Sequence, residues 1–153
     1  MFDRISIIGS GSWGTALAVL LSDHGLPITL WSHNPSVAAE INSHRTNSSY
    51  LPGIEIPSPV QATPDLAETL SSPLVVFVVP SKAVRKIGTQ LAELGAKPGT
   101  VIVSCTKGIE HDTGKLMSQV LADCLPESRM AVLSGPNLAV EIARRIPAAS
   151  VIG

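Results

Sequence analysis

The stretch IIGSGSWGTALAVLL, Ile7 to Leu21, decides the fold. An apolar run enters three glycines, Gly9, Gly11 and Gly14, spaced G-x-G-x-x-G, and an alanine–leucine run leaves them. The spacing alone fits any tight turn that needs small residues. Its placement, directly after a strand-like run and at the opening of a helix-like one, gives it meaning. Gly9 permits the turn, Gly11 lets the backbone approach a pyrophosphate, and Gly14 lets the helix lie close to the strands. Ala18, one turn further on, keeps that face small. The exposed amides and the dipole at a helix start favour an anion there. The competing reading is a glycine turn without a ligand.

Outward from this stretch, β-branched runs alternate with helical patterns. Strands are expected over Arg4 to Gly9, Pro27 to Ser32, Leu74 to Val79, Thr100 to Ser104 and Met130 to Leu133, with another beginning at Ala148 to Ile152. Helices are expected over Ser12 to His24, from Asn34 (as cap) to near Ser43, Lys82 to Gly95, Gly114 to Cys124 and Asn137 to Arg145. Thr63, Pro64 and Asp65 open a short helix in N-cap style. His44 to Pro64 shows no helical period and is broken by prolines, so it reads as a long loop, a feature that is often functional. Apolar strands alternating with helices predict an α/β fold with a mainly parallel sheet covered on both faces. In such sheets ligands bind beyond the carboxyl ends of the strands. The segments that matter are therefore GSGSWG, SHNP, PSKAV, CTKGIE and SGPNLA.

Composition narrows the class. The 153 residues suffice for one domain with a real core. With 11 basic and 12 acidic residues the net charge is −1, which points to neither nucleic acid nor an anionic membrane surface. No apolar run of about 18 residues is present, so no membrane insertion is expected, and a cytoplasmic location is. Cys105 and Cys124 make no metal spacing and read as reduced thiols.

The second strand bears on the cofactor. An acidic residue about 20 positions after a glycine loop binds the ribose hydroxyls of NAD. Here the strand ends Trp31-Ser32-His33-Asn34, without a carboxylate. NADP is therefore preferred over NAD, with His33, and Ser32 as a second candidate, at the 2′-phosphate; the alternative for His33 is an exposed loop histidine. Two readings stand for Trp13, packing in the core, or lying over the ligand or against a partner domain. Lys107 has the chemistry to neutralise a phosphate or polarise a carbonyl. Asn137 suits either a helix cap or a binding site, and Glu141 reads as a surface residue.

Together, Gly9 to Ala18, Trp31-Ser32-His33, Tyr50-Leu51-Pro52-Gly53, Val79-Pro80-Ser81, Thr106-Lys107-Gly108-Ile109-Glu110 and Ser134-Gly135-Pro136 resemble the amino-terminal part of the NAD(P)-dependent glycerol-3-phosphate dehydrogenases. The resemblance covers nearly the whole chain, in order. It implies a Rossmann-type doubly wound sheet, with residues 1–153 as the dinucleotide-binding domain. It implies that Gly9, Gly11, Ser12, Trp13, Gly14, His33, Lys107 and Ala139 face the cofactor. Lys107, Gly135 and Asn137 would face the substrate. Asn137 departs from the serine or threonine expected in bacterial members, yet it still donates and accepts hydrogen bonds.

The implied reaction moves a hydride between NAD(P)H and dihydroxyacetone phosphate. Its product, sn-glycerol 3-phosphate, is a glycerophospholipid precursor. In that family a helical substrate domain follows and supplies the proton-transfer lysine. The expectation is thus an amino-terminal half lacking that domain, inactive alone, with the lysine beyond Gly153. A homodimer is implied for the full-length protein, and no metal. Two other readings compete. One is a stand-alone, non-catalytic NAD(P)-binding or sensor module. The other is a reductase of another 2-keto or sugar-acid substrate, against which the TKGIE segment argues.

Overall fold

The structure is a computed structural model that describes residues 2–153. Seven strands form one sheet: β1 (Ile5–Ile8), β2 (Ile28–Trp31), β3 (Val60–Thr63), β4 (Leu74–Phe77), β5 (Val101–Ser104), β6 (Arg129–Ser134) and β7 (Val151–Ile152). Their spatial order is β3-β2-β1-β4-β5-β6-β7. All neighbours are parallel except β6 and β7, which run antiparallel. The helices are α1 (Ser12–Ser22), α2 (Pro35–His44), α3 (Ser81–Glu93), α4 (Met117–Cys124) and α5 (Ala139–Ala143), with a 3₁₀ turn at Leu66–Ser71.

Each face of the sheet has its own core. Ile5, Ile7, Leu30 and Val76 pack with Ala16, Val19 and Ile41 of α1 and α2. Ile8, Phe77 and Ile102 pack with Val84, Leu91 and Leu121 of α3 and α4. Burial on both faces is why β1 and β4 carry continuous apolar runs rather than alternation. The exception is Ser6, fully buried in β1. Its hydroxyl is satisfied across the fold, bonding the Thr69 carbonyl at 2.9 Å and the Ser72 hydroxyl at 2.7 Å.

Local chemistry sets the helix starts. Asn34 caps α2 by accepting from the Ser36 amide at 3.0 Å, and Pro35 occupies the first turn. Asp65 caps the 3₁₀ turn in the same way, at 2.9 Å from the Ala67 amide.

Four expectations need correction. The helix expected from Gly114 begins only at Met117, because Leu116 forms an antiparallel bridge with Ile109. The stretch His44 to Pro64 is not all loop, because Val60–Thr63 pairs with β2 as an edge strand. The last helix spans only Ala139–Ala143, since the Asn137 side chain is engaged elsewhere and Leu138 takes the cap position. The expected Ala148 to Ile152 strand is confined to Val151–Ile152. The switch in strand order lies between β1 and β4, and this is where an open α/β sheet forms its crevice.

Candidate cofactor and substrate site

The glycine loop leaves β1 into that crevice, and its three glycines face different surroundings. Gly9 has φ +119°, and a Cβ there would lie 2.3 Å from the Val78 carbonyl oxygen. A Cβ on Gly14 would lie 1.8 Å from the Gly9 carbonyl oxygen, so α1 starts directly against the loop. At Gly11 a Cβ would meet nothing within 4 Å. Gly9 and Gly14 are therefore small for packing, whereas Gly11 is small beneath open space. Gly11 is also the N-cap of α1, and no side chain caps its amides. An uncapped helix start below open space fits a phosphate group.

The loop is held from the side. The Asn47 amide, fully buried, donates to the Ser10 carbonyl at 2.9 Å and to the Thr15 hydroxyl at 2.8 Å. Ser10 donates to the Ser32 hydroxyl at 2.7 Å, and Ser32 in turn bonds the Asn34 carbonyl at 3.0 Å. The end of β2 and the segment after α2 thereby fix the loop. The Ser12 hydroxyl donates to the Tyr50 carbonyl.

Two hollows flank Gly11 and Ser12. The larger, about 540 Å³, is bordered by Gly9, Gly11, His33, Tyr50, Lys82 and Lys86. It lies against the ends of β1, β2 and β4. The smaller, about 300 Å³, is bordered by Ser12, Trp13, Lys107, Gly135, Asn137 and Ala139. The sequence-predicted residues therefore fall into two groups on either side of the loop. Gly14 borders neither hollow and acts by packing alone. Trp13 is half-buried against the core and also lines the smaller hollow.

In the smaller hollow the Lys107 ammonium lies 3.4 Å from the Gly135 carbonyl. Asn137 does not cap a helix. Its amide donates to the Ser150 hydroxyl at 3.0 Å, while its Oδ1 is buried with no partner. A buried acceptor without a donor costs about 1–3 kcal/mol. A ligand hydroxyl reaching Asn137 would relieve that cost. Gly135 is obligatory here, since a Cβ would lie 2.4 Å from the Ala149 carbonyl oxygen. Cys105 borders the same hollow, and burial pushes its thiol up to about 12. Glu141 is half-buried and borders neither hollow.

The loop that carries Lys107 is anchored at both ends. Thr106 donates to the Val79 carbonyl at 2.8 Å. Glu110 receives a bidentate pair from Arg85 of α3, both contacts at 2.7 Å, and a bond from Thr113 at 2.6 Å. The guanidinium holds the Glu110 carboxyl down at about 2. Arg85 also reaches Asp123 at 3.3 Å, and Lys115 reaches Asp123 at 2.6 Å.

Sequence reasoning missed Tyr50, Lys82, Lys86 and Asn47 as site residues. For the lysines there was a usable signal, their i, i+4 spacing immediately past a strand end. Asn47 gave none, because its contacts lie far along the chain.

Known proteins share the sequence and the fold of this chain. Over 154 aligned residues the chain is 49% identical to glycerol-3-phosphate dehydrogenase [NAD(P)+] of Streptomyces griseus, covering 97% of this chain and 45% of that protein. Identity to the Geobacter metallireducens protein of the same name is 43%, covering 99% and 46%. The crystal structure of glycerol-3-phosphate dehydrogenase from Coxiella burnetii superposes with a TM-score of 0.91 at 36% identity, covering 98% of this chain and 46% of that one. The chain thus spans a little under half the length of these relatives. Residues 4–153 match the family described as NAD-dependent glycerol-3-phosphate dehydrogenase N-terminus, and the chain belongs to that family.

Proposed function

We propose that this chain is the cofactor-binding half of an oxidoreductase that interconverts dihydroxyacetone phosphate and sn-glycerol 3-phosphate. The observation that carries the reading is the open space over Gly11, set between a hollow with His33 and a hollow with Lys107 and Asn137. A dinucleotide lying across the loop places its pyrophosphate at the uncapped start of α1. Its adenosine end then lies by His33, and its nicotinamide end by Trp13 and Ala139. When bound, the nicotinamide supplies the hydride, and the protein contributes position and electrostatics.

Lys107 borders the smaller hollow as a mobile point charge, suited to a substrate phosphate or a polarised carbonyl. The unpartnered Asn137 Oδ1 accepts from a substrate hydroxyl. The proton on the alcohol oxygen needs a further donor. We assign that donor to the part of the relatives that this chain does not span, together with the second wall of the substrate site.

Among the described residues no carboxylate borders the larger hollow, and His33 stands at the tip of β2. This supports NADP as the preferred cofactor, with NAD as the second. Among the described residues no helix is long and apolar enough to cross a membrane.

Calorimetric titration of the chain with NADPH, NADH and glycerol 3-phosphate separately tests the reading. Dinucleotide binding in the micromolar range is expected, with NADPH the tighter. His33→Asp should weaken NADPH and leave NADH equal or better. Unchanged affinity for both would remove His33 from the site, and a wild type that binds neither dinucleotide would refute the function.

A further inference from the structure

Helix α3 carries Lys82, Arg85 and Lys86, and the structure treats them differently. Arg85 turns to one side, where Glu110 and Asp123 engage it. Lys82 and Lys86 are exposed and border the larger hollow together with His33. Among the described residues neither lysine forms an ion pair, although carboxylates engage three other basic side chains at 2.7 Å or closer. Their i, i+4 spacing sets two like charges side by side on one helix face, which disfavours the helix slightly. No acid within reach on that face offsets the repulsion, since Glu93 is the only acidic residue of α3 and sits at its far end.

The hollow has the opposite character from one that reads ribose hydroxyls. Among the described residues no Asp or Glu borders it. The polar groups at the tip of β2 are already engaged: the Ser32 hydroxyl bonds Asn34, and the Trp31 indole donates to the Pro64 carbonyl at 3.0 Å. His33 remains, bordering the same hollow as the two lysines. The start of α3 adds its positive end to the same side, capped by no side chain.

We propose that Lys82 and Lys86 are specificity-determining residues. Together with His33 they seat the phosphate on the adenosine ribose that distinguishes NADPH from NADH. The inference rests on the reading that the chain binds a dinucleotide. The added ligand group is a dianionic monoester, and two ammonium groups on one helix face match it as point charges. Binding relieves the repulsion between the lysines, so the phosphate is favoured over an unphosphorylated ribose hydroxyl, which brings no compensating charge.

The test is calorimetric titration of wild type, the double variant Lys82→Gln/Lys86→Gln, and Lys97→Gln as a control. Lys97 lies in the turn before β5, in a separate hollow bordered by Pro98 and Thr100. Both target side chains are exposed, so melting curves of all variants should match wild type. The double variant should bind NADPH at least about tenfold more weakly, with NADH within twofold of wild type. Adenosine 2′,5′-bisphosphate should lose affinity as NADPH does, and 5′-AMP should not. Raising salt should weaken NADPH binding less steeply in the double variant than in wild type.

Equal losses for NADPH and NADH would place the lysines at the shared pyrophosphate and overturn the proposal. So would unchanged NADPH affinity, or an equal loss in Lys97→Gln. A wild type that binds neither dinucleotide overturns the dinucleotide reading, and this inference with it. A wild type that binds both while the variants fail the pattern overturns only the assignment of the lysines.

Discussion

Substituting the three loop glycines one at a time should give two different failures. In Gly14→Ala the new Cβ would sit 1.8 Å from the Gly9 carbonyl oxygen, and in Gly9→Ala 2.3 Å from that of Val78, where real contacts essentially never fall under 3.0 Å. Both obstacles are backbone, so no rotamer change relieves them, and Gly9 also has φ +119°. Overpacking against side chains costs about 1–3 kcal/mol. Against backbone we expect about 4 kcal/mol or more, the range of severe core lesions. For a domain of this size that lowers Tm by roughly 8–16 °C. Gly11→Val differs, because its φ of −68° suits any residue and the space above it is open. Its cost is a poorer N-cap, about 1 kcal/mol, or roughly 2–4 °C. The valine methyls occupy the space that a pyrophosphate needs, and NADPH affinity should fall at least about 100-fold, or about 2.7 kcal/mol. Thermal melts followed by circular dichroism, paired with NADPH titrations, separate the two outcomes. A Gly14→Ala protein that melts with wild type would refute the packing argument. A Gly11→Val protein with wild-type affinity would refute the assignment of the loop.

Glu110 is held at about 2 against an ordinary 4.5, so the stability it contributes is complete above 4.5 and is lost as pH falls towards 2. The Tm gap between wild type and Glu110→Gln should therefore be widest at neutral pH and close across that window; a gap independent of pH would contradict the ion pair. Cys105, raised to about 12, should resist iodoacetamide at pH 8 in the native protein and react once it is unfolded. Mass mapping of the labelled thiols checks this, and rapid native labelling of Cys105 would contradict its burial. The chain should bind dinucleotide yet show no measurable reduction of dihydroxyacetone phosphate, since a placed proton donor contributes about 10²–10⁴-fold. Turnover by the chain alone, abolished by Lys107→Ala, would move the proton donor into this half.

The plainest elements in the sequence are the inner strands buried on both faces. Leu74 to Phe77 is apolar at every position because helices cover it on each side, and the glycine loop announces the turn before α1. β3 was hidden for the opposite reason. It is a short edge strand, VQAT, with prolines near both ends, and edge strands tolerate polar residues and prolines that interior strands do not. α5 was read too long because Asn137 resembles a cap, while its real partner, Ser150, lies beyond the helix. In the site, residues on strand ends could be found from order along the chain. Asn47 could not, since hydrogen bonds to Ser10 and Thr15 depend on how distant segments meet. Lys82 and Lys86 look like any solvated lysines until their shared hollow is seen.

The strand order also bears on synthesis. Ile5 pairs on one side with Ile28 and on the other with Leu74, so the earliest of these strands to leave the ribosome becomes an interior strand, paired along both edges. During translation its far edge stays unpaired until β4 has emerged, and parallel pairing over such a separation is slow. Over that interval Ile5 to Ile8 presents a bare edge, which exposes it to wrong pairing. Slower translation between β2 and β4 would lengthen the exposure, and holdase chaperones that mask short apolar segments would have their target here.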